Sequence, residues 1–246
     1  MPNFDAHAYL GETPFSNAMA TRAAIQQTMQ QHDLSAVALI SALAARCDFV
    51  TGNRQLREVI DPSSGMFGYL TLNTGYPVES QEDQRRYLGQ RGFVAGVLFG
   101  HDGNPVTLED SRDILNAHRR YTKPMAIHVP NAAAVHAARQ IAAEYPTMKF
   151  VLLSMGGEDW HVALTAARQH LNLYLDISGS LDADKVAQAA ATITPRKLLF
   201  GSGLPYANPQ SILALVESAS ALTRVDRERI LSGNAVALFG TQDDGE

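Results

Sequence analysis

Cysteine is nearly missing from this chain. Cys47 is the only one in 246 residues, which excludes an internal disulfide and any metal site built from clustered cysteines. No lysine or arginine cluster stands out against a formal net charge of −5, so the basic face that nucleic-acid phosphates require is missing too. No run approaches the roughly 18 apolar residues of a membrane span. The opening "MPNFDAHAYLG" lacks the basic-then-apolar order of a secretory signal, and the expected location is cytoplasmic. There is no G-x-G-x-x-G after a strand, no Walker loop and no G-x-S-x-G elbow. What remains is a globular composition, 46% hydrophobic and 18% charged, with a small molecule as the expected partner. Cys47 itself reads as a small buried apolar residue.

Short aliphatic or β-branched runs alternate along the whole chain with segments of helical period. The runs are Asn3–Leu10, Ala36–Ala42, Phe67–Asn73, Phe93–Phe99, Pro124–Pro130, Lys149–Met155, Leu173–Ser178 and Lys197–Gly203. Between them, stripes such as Ala24, Ile25, Thr28, Met29 and Ile212, Leu215, Val216, Ala219, Leu222 predict amphipathic helices. Thr107 with Asp110 and Ser80 with Asp83 resemble capping boxes, and Asn208 precedes a proline suited to a first helical position. Eight strand–helix units predict an α/β fold, a single-domain (β/α)8 TIM barrel over residues 1–240 with a polar tail at 241–246. An open doubly wound sheet is the runner-up; it calls for a phosphate loop that is not found.

A barrel of this kind carries its chemistry on the C-terminal strand ends. Strand 1 offers Asp5, His7 and Tyr9, which alternation places together on the interior face. Strand 5 offers His128, strand 6 Ser154, strand 7 Asp176 and Ser178, and strand 8 Ser202 and Gly203, with His101 and Asp102 past strand 4. His7 and His128 together suit a shared divalent ion, or simply two hydrogen-bonded residues in a pocket wall.

These motifs resemble the amidohydrolase superfamily, in particular its amidohydrolase-2 branch of metal-dependent hydrolases and decarboxylases. "FDAHAYLG" is similar to that family's first strand, in which an Asp precedes His-x-His. "KPMAIHVP" is similar to its fifth strand, "KFVLLSMGG" to its sixth and "NLYLDISG" to its seventh. "KLLFGSGLPY" is similar to the eighth, where the family has Gly-Ser-Asp-x-Pro, and "RERILSGNAVALFG" to its closing helix. The resemblance implies a divalent metal, zinc or manganese, held by two strand-1 histidines, the strand-5 His and the strand-8 Asp, with a strand-6 His beside it. Here His7 and His128 stand at two of those positions, whereas Tyr9, Ser154 and Gly203 replace the others.

Two neutral imidazoles fall short of the three protein donors a catalytic zinc usually takes, so the expectation is that no cofactor is tightly bound. Two readings then stay open. One is a hydrolase acting on a small cyclic or carboxylated molecule with His7 and His128 as catalytic residues or, if an ion is held at all, its ligands. The other is an inactive, metal-free binding or regulatory protein; whether copies associate into a homo-oligomer is also open. Substrate contacts are expected from Tyr9, His101, Ser154, Trp160, Asp176, Ser202 and Gly203. The remaining histidines, His32, His118, His136, His161 and His170, read as residues on helix faces of the outer ring. Glu79, Glu82 and Asp83 read as a solvated helix start.

Overall fold

Alternating apolar character in the strands builds two apolar layers. A computed structural model describes residues 2–13, 16–101, 103–182 and 184–241, without side chains at 13 and 16–19; Asp102 and residues 242–246 of the polar tail lie outside the described residues. The parallel strands are β1 (Asn3–Thr13), β3 (Leu34–Ser41), β4 (Met66–Leu72), β5 (Phe93–Leu98), β6 (Met125–His128), β7 (Phe150–Leu153), β8 (Leu173–Asp176) and β9 (Leu198–Leu199). Each expected run falls on one of them. The circle closes where Ala6 N–H donates to the Phe200 carbonyl, Gly203 N–H to that of His7, and Tyr9 N–H to that of Leu204. The chain is therefore a (β/α)8 barrel. One strand was not foreseen: β2 (Ser16–Ala20) folds back antiparallel on the end of β1.

Residues such as Ala38, Ile40, Val97, Ala126, Leu153 and Leu199 fill the interior, while Leu39, Leu98, Ile127, Leu152 and Leu175 pack outward into the larger cluster that includes the helices. A closing helix, Asn234–Phe239, adds Ala235, Leu238 and Phe239 to the interior cluster near the N-terminal strand ends and so stoppers that end. The helix that opens with Asn208 capping Gln210 N–H has Pro209 as its first residue, as its sequence predicts.

Four local readings are corrected. The three polar residues of β1 do not share one face: Phe4 and Ala6 join the interior cluster with Tyr9, while Ala8 packs outward. The pairing with β3 gains one residue between Asp5 and Ala8, and this bulge changes the alternation just before the mouth. Ser80 is no cap, because its helix starts at Pro77 and its hydroxyl instead bonds the backbone of Asn73. Asp83 is buried and accepts a hydrogen bond from Asn53, unlike the exposed Glu79 and Glu82. Cys47 is exposed.

His118, on the outer-ring helix Leu108–His118, is fully buried. Its Nε2 lies 3.0 Å from the Lys123 carbonyl and 3.2 Å from that of Pro124, so Nε2 carries the proton; Nδ1 has no partner. Burial pulls its pKa down to about 4. A lowered folded-state value means a contribution that is complete above the unfolded pKa near 6.5 and lost as pH falls toward 4. Between pH 7 and 5 it should cost about 2 kcal/mol of stability. Asp5, pushed up to about 6 by burial, changes in the opposite direction over that window, so the test is a comparison of wild type with His118→Leu. Urea unfolding at the two pH values should show the wild type losing more, and parallel losses would refute the assignment.

Candidate active site

Six of the nine expected site residues meet at one end of the barrel. A cavity of about 540 Å³ at the C-terminal strand ends is lined by His7, Tyr9, His128, Ser154, Ser202 and Gly203. Asp176 lies directly behind His7, fully buried. Two others are not brought there. His101 is exposed on a turn, where its carbonyl accepts from Asn104 N–H, and it does not line the cavity. Trp160 is buried in the outer apolar cluster at the start of the helix Trp160–Gln169, packing rather than walling the cavity. The cavity also takes residues that the sequence reading passed over, among them Arg46, Phe99, Leu181 and Tyr206.

The centre of the site is a buried hydrogen-bonded group. His7 Nδ1 lies 2.7 Å from Asp176 Oδ2 and 3.1 Å from Ser178 Oγ, and the Ser178 hydroxyl donates to the same carboxylate oxygen at 2.5 Å. Backbone N–H groups of Ser154 and Ser178 complete the shell of Asp176 at 3.1 Å each. Burial works to raise this carboxyl, but the His7 ring and the donors around it hold it below the usual carboxylate range. An ionised Asp176 then fixes the proton of His7 on Nδ1 and leaves Nε2, which has no partner, as the basic nitrogen.

Neighbouring groups are held in place with similar care. Ser154 and Met155 take left-handed φ values of 63° and 47°, unfavourable for residues with side chains; the Ser154–Asp176 bond helps fix that turn. Asp5 accepts from Ser202 N–H, Ser202 Oγ–H and His7 N–H, and thereby ties β1 to the end of β9. Burial keeps Tyr9 protonated well above its ordinary range, and holds His128 at about 4, with His7 adding to that effect and Asp176 opposing it. The ring of His7 lies 5.1 Å from Tyr9, and that of His128 lies 5.4 Å from Phe99.

The donors do not suit a tightly held divalent ion. Asp176 is committed to His7, Ser178 and Ser154, Tyr9 stays a neutral phenol, and Gly203 offers nothing. Among the described residues there is no group of three His, Cys, Asp or Glu able to hold a metal. Two imidazoles are left, fewer than the usual three protein donors. Gly203 is not glycine for want of room: a Cβ there would meet only Ser178 Cβ, at 3.8 Å. Its φ of 69° is one that Asp tolerates better than most residues. The double variant Gly203→Asp, Tyr9→His should therefore bind Mn²⁺ at least about tenfold more tightly than wild type in calorimetry, since it adds two donors to the two imidazoles. Equal affinities would refute the donor argument.

Comparison with known proteins agrees with this architecture. The amidohydrolase family model matches residues 4–241, and the chain belongs to that family. Its amidohydrolase-2 relatives include 2,6-dihydroxybenzoate decarboxylase from Rhizobium, which superposes with a TM-score of 0.75 at 15% identity, covering 98% of this chain and 99% of that one. Dihydroxybenzoic acid decarboxylase from Polaromonas, solved with manganese and the inhibitor 2-nitroresorcinol, gives 0.74 at 15% identity and covers 97% of each chain. A probable 2-pyrone-4,6-dicarboxylic acid hydrolase from Acinetobacter baumannii, with citric acid bound, gives 0.67 at 15% identity over 98% of this chain and 100% of that one. No curated protein matches by sequence. No helix among the described residues is long and apolar enough to cross a membrane.

Proposed function

We propose that this chain hydrolyses a small, ring-shaped carboxylated molecule in the barrel mouth, with His7 and Asp176 as a metal-independent acid–base pair. The observation that carries the reading is the 2.7 Å contact from Asp176 to Nδ1 of a residue that lines the cavity, together with a buried Nε2 that has no partner. In that arrangement Nε2 accepts a proton from water as the water attacks a lactone or amide carbonyl. Asp176 stabilises the imidazolium, which returns the proton to the leaving group. Tyr9, kept protonated, is suited to donate a hydrogen bond to the developing oxyanion, and neutral His128 to orient the ring beside Phe99. Ser154, Ser202 and Gly203 complete the wall.

Structural relatives named for dihydroxybenzoate decarboxylation and pyrone dicarboxylate hydrolysis make small carboxylated rings the natural first compounds. A second reading, binding without turnover, is favoured by glycine standing at 203, where the family resemblance places a metal-binding carboxylate. A thermal-shift screen of 2,6-dihydroxybenzoate, 5-carboxyvanillate and 2-pyrone-4,6-dicarboxylate, followed by product analysis, separates these outcomes. Ring opening supports hydrolysis, loss of CO₂ reassigns the chain to decarboxylation, and stabilisation without product favours the binding reading. His128→Ala should abolish turnover of any converted compound; full activity in that variant would contradict the role given to His128.

A further inference from the structure

Charge is distributed very unevenly across this cavity. Its inner end rests on two buried carboxyl groups, Asp5 and Asp176, beneath His7, and its second imidazole, His128, stays neutral. Of the lining residues, Arg46 alone carries a permanent positive charge. It is the last residue of the short helix Ala42–Arg46 that follows β3, it is exposed, and it makes no ion pair among the described residues. Tyr206, half exposed, lines the same side and meets Tyr9 edge to face at 5.3 Å, which links the rim to the inner wall.

An anion placed against the inner end would face the ionised Asp176, whereas the same anion at the rim meets an unpaired guanidinium able to hold a carboxylate by two parallel bonds. The geometry points to Arg46 as a carboxylate-binding subsite, which holds the substrate by a carboxylate that does not react and directs the opposite end of the ring to His7. The inference rests on the proposed acid–base reading for the identity of the reacting end, but the subsite itself is read out by binding alone. It assigns specificity to a residue outside the acid–base pair and fixes the polarity of the bound molecule.

The test uses calorimetric titration with two probes of one ring type, 2,6-dihydroxybenzoate and its uncharged counterpart resorcinol, on wild type, Arg46→Gln and Arg46→Lys. Wild type should favour the carboxylate by about tenfold or more, as expected when a charge-assisted pair is formed. Arg46→Gln should erase that preference while leaving resorcinol affinity unchanged, and Arg46→Lys should retain part of it. A preference that survives in Arg46→Gln, or equal weakening of both probes, overturns the subsite while leaving the acid–base reading in place. A wild type that binds neither probe overturns the subsite and the carboxylated-ring reading together. Turnover that survives His7→Ala, with an intact Arg46-dependent preference, would instead refute only the catalytic role.

Discussion

Asp176→Asn is expected to reduce turnover by about two to four orders of magnitude, the range for loss of a positioned acid–base partner. The substitution preserves size and leaves the carbonyl oxygen, at the Oδ1 position, to accept from Ser178 N–H, but it presents an amide N–H₂ at the Oδ2 position, which faces His7 Nδ1 and now accepts from Ser154 N–H and the Ser178 hydroxyl. Nδ1 must then accept, the proton moves to Nε2, and that unpartnered nitrogen of His7 ceases to be a base. His7→Ala should cost about as much, and the double variant little more than either alone, because residues acting as a unit are not additive. The pH–rate profile gives the readout that a merely structural role would not change: its acidic limb should shift or vanish in Asp176→Asn. A variant with the wild-type profile and more than about half of the activity would remove the pair from the mechanism.

Gly201→Ala should be nearly as damaging, for a reason that lies in packing. A Cβ at residue 201 would sit 2.0 Å from Asp176 Oδ1 and 2.8 Å from His7 Cβ, far inside van der Waals contact. Neither neighbour is a flexible chain end: Asp176 closes β8 with its carboxylate in four hydrogen bonds, and His7 lies in β1 beside β9. The added methyl must therefore spread the strands or displace the carboxylate. Overpacking of this kind costs about 1–3 kcal/mol, and the displacement separately disturbs the 2.7 Å contact on which the proposed activity rests. Gly203→Ala is the internal control, since it has space and bears only the cost of a positive φ, about 1 kcal/mol. Chemical denaturation and turnover of the two variants should separate them clearly. Equal behaviour would mean that Gly201 is not what lets the pair form.

Much of this architecture is legible in the order of residues. Each of the eight apolar runs is a strand of the barrel because burial on both faces leaves an uninterrupted aliphatic signature, and Gly/Pro-marked turns bound it. The strand β2 escaped because "SNAMA" has neither a β-branched residue nor a strong alternation; its pairing is set by the end of β1. The bulge in β1 escaped for a related reason, since one extra residue changes which face each side chain takes without altering composition.

At the site, the residues on strand ends were foreseeable and those on connections were not. His128 and Ser154 sit at or just past strand termini, where the barrel rule applies directly, and His7 and Tyr9 lie within β1, which runs on beyond them to Thr13. His101 follows a strand too, but its turn carries it away from the axis, and Trp160 begins a helix whose apolar face points to the outer layer. Arg46 belongs to a five-residue helix entered straight from β3, with Ser41 as its cap; a cation so soon after a strand end was the available signal. Asp176 was foreseen as a wall residue, yet its part in orienting His7 depends on a contact 169 positions apart that no local pattern encodes.

Central to this account is the claim that the mouth of the barrel has two imidazoles but too few further donors to hold a metal, so that His7 and Asp176 act without one. Elemental analysis of protein purified without chelator tests it most directly. The account predicts zinc, manganese and iron far below one ion per chain, while a near-stoichiometric ion that is lost in His7→Ala would contradict it.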